Sequence, residues 1–144
     1  MIRLLRARFA DLAENDAQAL ASLAEGSPGR AMRLAEAGGL ELQRELERLL
    51  AKLPALDVPA LHALADRAAR GEKGASAFAV LGELLTQWLA RLVRSGRQPG
   101  RSLDQWLAVW DKVSGLLARA EGANLDRKQV LLTAILAVQR AAGG

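Results

Sequence analysis

Residues 26–30, Gly26-Ser27-Pro28-Gly29-Arg30, are the stretch of this chain whose residue types could do chemistry. Glycines beside a helix start leave N–H groups bare, and bare N–H groups attract phosphates and other anions. The same residues also read as punctuation between helices. Ser27 is an N-cap, Pro28 stands at the first helical position where its missing N–H costs nothing, and Gly26 can turn left-handed to stop the helix before.

Other reactive groups are sparse. His62 is the only histidine and sits in a helical pattern beside Leu61 and Leu64. There is no Cys, which excludes disulfides, Cys-ligated zinc and thiol chemistry, and no Tyr to assist a proton transfer. No Ser stands at a spacing that suggests a nucleophile. The carboxylates fall on solvent faces of helices, as with Glu41 and Glu45 beside Arg44 and Arg48. The glycines at 26 and 29 lack the lysine of a nucleotide-binding GxxxxGK[ST] loop. The residues therefore predict no catalytic site, no metal, no cofactor and no small-molecule substrate.

The elements that must position these groups are helices. Half of the 144 residues are hydrophobic, aromatics make up 3%, and β-branched residues are scarce, a composition that favours helices over sheets. About seven helices are expected. The first spans about 16–25, with Asn15 as N-cap and Gln18 at the capping-box spacing. The second runs from Ser27 to Gly38-Gly39. The third covers about 40–52 on Leu42, Leu46, Leu49 and Leu53 until Pro54 blocks it. Asp57 and Pro59 open a fourth at about 58–70, stopped by Gly71.

The fifth, about 75–94, carries Phe78, Leu81, Leu85, Trp88 and Leu92 on one face. After a Gly/Pro loop at 95–101, Ser102 and Gln105 form a capping box for the sixth, about 103–121. Its stripe is Leu103, Trp106, Trp110, Val113 and Leu117. Asn124 caps the last, about 125–142. This is an all-α bundle with short connections. Two short helices precede Gly38-Gly39, and they carry too little apolar surface to stand alone.

At residues 23–42, LAEGSPGRAMRLAEAGGLEL, the chain resembles the delta-prime subunits of the bacterial DNA polymerase III clamp loader, which carry a GSPGRAL-like turn in a helical lid. Residues 124–136, NLDRKQVLLTAIL, are similar to a helix of the same family, and residues 84–94, LLTQWLARLVR, look like its collar domain. The resemblance implies a remnant of an AAA+ lid over residues 1–38 and a five-helix collar over 40–142. It implies a non-catalytic module in a pentamer with the delta and gamma/tau subunits, meeting DNA indirectly through the complex that loads the sliding clamp. In ATP-hydrolysing relatives a Gly-Ser-x-Arg turn supplies a sensor arginine. Here the arginine comes one position later, and one helical step rotates a side chain by about 100 degrees, so Arg30 is not expected to inherit that role.

Gly26, Ser27, Gly29 and Arg30 are thus the candidate nucleotide-proximal turn, with Arg33 beside it. Trp88, Trp106, Trp110, Arg127 and Lys128 are candidate subunit contacts, since Trp is enriched at the centres of interfaces. An alternative reading makes the chain a helical nucleic-acid-binding module working through Arg94, Arg97 and Arg101, although a net charge of +4 is mild for that purpose. No apolar run approaches the ~20 residues of a membrane span, and residues 1–10 lack a signal-peptide core, so a soluble cytoplasmic protein is expected.

Overall fold

The computed structural model describes residues 1–96, 102–122 and 125–143. Among these the chain is all-helical, with eight helices: α1 (Ile2–Arg8), α2 (Glu14–Leu23), α3 (Pro28–Glu36), α4 (Gly39–Ala51), α5 (Val58–Arg67), α6 (Gly71–Ser95), α7 (Leu103–Gly122) and α8 (Arg127–Ala142). The eighth, α1, lies in a segment where no helix was expected. It has seven residues and no side-chain cap, so local chemistry does not announce it. It is held by Leu5, which is fully buried, and by packing on α2 and α3.

Several helix starts differ from the expected caps. α2 starts at Glu14 with Ala13 as its uncapped N-cap, so Asn15 lies inside the helix and is exposed. Glu14 and Asp16 in the first turn complement the dipole instead. Asp126, directly ahead of Arg127, caps α8 by accepting from the N–H groups of Lys128 and Gln129 at 3.0 and 3.3 Å. The expected cap, Asn124, lies outside the described residues. α6 begins at Gly71, four residues before the expected start.

Other caps are as the residue types imply. Ser27 accepts from the Arg30 N–H at 3.3 Å, and Asp57 from the Ala60 N–H at 3.1 Å. The Ser102–Gln105 box forms in both directions, at 3.0 and 3.4 Å. At the α3–α4 corner the two glycines do different jobs. Gly38 takes a left-handed φ of 69°, which L side chains rarely adopt. Gly39 begins α4 so close to α3 that a Cβ there would lie 2.8 Å from the Leu34 carbonyl oxygen.

Two groups of helices meet at that corner. α1, α2 and α3 pack on one another, and α2 and α3 lean on α4. Within the second group, α4, α5, α7 and α8 all pack against α6. Arg67 at the end of α5 pairs with Glu41 and Glu45 near the start of α4, so these two helices run antiparallel. Gln139 donates to the Pro54 carbonyl at 3.2 Å, while Arg127 reaches the far end of α5, so α5 and α8 are antiparallel too.

The core runs through the second group along Leu42, Leu46, Leu81, Leu85, Trp106 and Ile135, all at most 3% exposed. Where α4, α5, α6 and α8 converge, the residual void is ≈ 10 Å³, too small to hold a water comfortably. Trp106 has no accessible surface and fills the α6–α7 seam. Trp106→Ala should lower unfolding free energy by about 3–5 kcal/mol, read from urea denaturation. A change below about 1 kcal/mol would contradict this packing.

Candidate functional site: the Gly26–Arg30 turn, the tryptophan seam and the basic residues

The turn after α2 is sharper than one glycine requires. Glu25 has a φ of 51° and Gly26 of 84°, so two successive residues are left-handed before Ser27 opens α3. The backbone of this turn serves helix punctuation. Arg30, in the first turn of α3, forms an ion pair with Glu83 of α6, and its side chain is only 22% exposed. Its Nε is buried without a hydrogen-bond partner. The arginine therefore ties the first helical group to the second, and its charge is neutralised within the chain.

Arg33 lies one helical turn beyond Arg30 and is exposed. It borders a groove of ≈ 320 Å³ between α3 and α6, lined also by Leu34, Glu36, Ser76, Val80 and Glu83. Glu83 is the ion-pair partner of Arg30 that the sequence does not reveal. It sits in the middle of the amphipathic α6 pattern, and nothing local distinguishes it from any solvent-facing glutamate.

The three tryptophans divide. Trp106 is sealed in the core, and Trp88 meets it edge-on with ring centroids 6.5 Å apart and planes at 70°. That T-shaped pairing is the favoured aromatic geometry. Trp88 and Trp110 are half-buried, so each offers only part of its ring to solvent. The Trp110 Nε1 and, one turn further on, the Ser114 Oγ are buried without a hydrogen-bond partner.

Arg127 and Lys128 both act inside the molecule. Arg127 Nε donates to the Ala68 carbonyl at 2.8 Å, and its Nη2 donates to the Ala69 and Gly71 carbonyls at 3.3 and 3.1 Å. The Ala68 and Ala69 carbonyls directly follow the end of α5 and that of Gly71 belongs to the first residue of α6, so the guanidinium bridges the α5–α6 junction and complements the α5 dipole. Cations in the first turn of α8 oppose that helix's own dipole, but they serve the end of its neighbour. Lys128 Nζ pairs with Asp66 Oδ1 at 2.6 Å. This bond holds the Asp66 carboxyl below its ordinary value of 3.8, helped by the nearby charges of Lys128, His62 and Arg70.

Of the nucleic-acid candidates, Arg94 is exposed in the last turn of α6, where it complements the dipole. Arg97 and Arg101 lie outside the described residues. His62 is exposed on α5. Among the described residues no cluster of three or more His, Cys, Asp or Glu could hold a metal ion, and no helix is long and apolar enough to cross a membrane. The candidates do not all converge on one pocket: Arg127 and Lys128 share a cleft of ≈ 700 Å³ with Asp66 and Arg70 while both are tied to the α5 end, Arg30 and Trp106 are bound into the fold elsewhere, and Arg33, Arg94, Trp88 and Trp110 keep accessible surface apart from them.

Arg127→Met should destabilise the chain by about 2 kcal/mol, because it leaves the Ala68, Ala69 and Gly71 carbonyls at the α5–α6 junction without their charged donor; thermal and urea unfolding would measure it. Asp66 adds a pH signature. Its folded pKa is depressed, so the stability it contributes is present above the unfolded value of 3.8 and is lost as pH falls through the folded value. Lys128→Met should lower the midpoint of thermal unfolding at pH 6, with the gap to the parent closing below pH 3.8. A gap that stays constant on acidification would remove this assignment. No family model matches the chain, and neither does any curated protein or solved structure.

Proposed function

We propose that the chain is a non-catalytic assembly module of a replicative clamp loader, the helical remainder of a lid followed by a collar of the delta-prime type. One observation carries the reading: the two motif-bearing segments, residues 23–42 and 124–136, occur in family order in a chain whose helices part into two groups at Gly38. Residue 38 is also where the resemblance divides lid from collar. The five helices α4–α8 would supply the ring-forming body, and Trp88 and Trp110 the partly open aromatic surface for neighbouring delta and gamma/tau subunits.

The arginine at the lid turn fits a member that does not hydrolyse ATP. A sensor side chain must be free to reach the nucleotide phosphates, whereas Arg30 is paired with Glu83 and largely withdrawn from solvent. In this reading the turn supports the lid–collar junction, and DNA is met through the complex.

The test is co-expression with delta and gamma/tau subunits followed by size-exclusion chromatography. A co-eluting complex of defined stoichiometry is expected. A chain that elutes alone, and binds duplex or single-stranded DNA with an affinity that falls steeply with salt, would favour the nucleic-acid-binding alternative through Arg94, Arg97 and Arg101.

A further inference from the structure

Between the α1–α2 loop, α2 and the first turn of α4 lies a crevice of ≈ 350 Å³. Its floor is apolar: Leu20 is buried, while Phe9, Leu12, Ala35 and Leu40 are half-buried around it. Its rim is acidic, with Asp11, Asp16 and Glu41 at the opening. Arg44, the cation among the lining residues, is already held by Asp16 at 2.9 Å.

One of the three carboxylates is outside every ion pair among the described residues, and a second is only loosely held. Asp11 is exposed and takes part in none of the ion pairs among the described residues. Glu41 is 71% exposed and stands 3.5 Å from Arg67, whose shorter bond of 2.9 Å goes to Glu45. The first turn of α4 adds a third feature. Gly38 offers no side-chain cap, and Gly38, Gly39 and Leu40 all border the crevice. The leading N–H groups of α4 therefore lack a side-chain acceptor.

A mostly apolar cleft with a few convergent polar groups is the usual form of a binding site, and this one is at the small end of that range. Its negative rim also runs against the net +4 of the chain, so the sign of the rim selects among partners more than the overall charge does. We propose that the crevice receives a short segment of a partner protein in which a large apolar side chain stands beside Lys or Arg. The apolar side chain occupies the floor, the cation faces Asp11 and Glu41, and a backbone carbonyl of the segment accepts from the first turn of α4. This uses residues 9–44 alone and does not rest on the collar reading.

The probe is a fluorescein-labelled peptide, Leu-Lys-Lys-Leu-Leu-Lys-Lys-Leu, titrated into the full chain at low and moderate salt and followed by anisotropy. Saturable binding is expected, lost when the leucines become Ser or the lysines become Glu. The surface variant Asp11→Asn with Glu41→Gln should bind about tenfold more weakly and with a flatter salt dependence. Circular dichroism would check that its helix content is unchanged. Equal affinity for the glutamate peptide, an unaffected double variant, or no saturation by about 1 mM would overturn the proposal. So would a concentration-dependent dimer abolished by Leu4→Ser, because the exposed Arg3-Leu4 pair of a second copy would then be the occupant.

Discussion

Keeping the stripe Phe78, Leu81, Leu85 and Leu89 of α6 out of water is the constraint from which the rest of the architecture follows. A 25-residue helix with such a face cannot be covered by a single neighbour, and α4, α5, α7 and α8 all pack on it. Each of those helices then has a defined apolar face of its own, visible as Leu42 and Leu46, Leu61 and Leu64, Trp106 and Val113, and Leu131 and Ile135. The burial of many aliphatic side chains, each stabilising by roughly 1.5–3 kcal/mol, outweighs any polar contact in the molecule. The short α1–α3 group has no comparable core and depends on α4 for its cover.

The polar interactions do a different job. Arg30, Arg44, Arg67, Arg127 and Lys128 each join one helix to another, and none of them lies wholly in the core. The exposed ion pairs among them contribute at most about 1 kcal/mol each, and the hydrogen bonds of Arg127 to backbone carbonyls contribute more, so together they select the register and angle of helices that the core has already brought together. The consequence for function is direct. A formal excess of basic residues suggests an anion-binding surface, but several of the cations that look available along the chain are neutralised inside it. Near the α2–α4 crevice the charge outside any ion pair among the described residues is negative, at Asp11, whereas the α3–α6 groove keeps the exposed cation Arg33.

Helix existence was legible because it depends on short-range chemistry. Ser27 with Pro28, Asp57 with Pro59, and Ser102 with Gln105 each mark a start within four residues, and the 3- and 4-residue steps of Phe78 to Leu85 mark a buried face. The misreadings fall where local signals compete. Asn15 is a good cap by type, yet the chain enters α2 two residues earlier, where Ala13 can take extended geometry and acidic residues fill the first turn. α1 had no signal to read, because seven residues without a cap are helical only once Leu5 is buried. The candidate site was legible as a set of residue types and not as an arrangement.

Taken alone, the order of residues determined an all-helical chain, most of its helices, the corner at Gly38-Gly39 and the absence of cysteine chemistry. Those are consequences of backbone preference and of apolar spacing within a turn or two. Only the tertiary structure decided that Arg30 faces Glu83, that Arg127 closes the end of α5 across 56 to 59 residues of chain, and that Trp106 is core while Trp110 is half open. Such pairings depend on which faces of distant helices meet, and that is settled by the packing of the whole bundle, where one residue of offset turns a side chain by about 100 degrees.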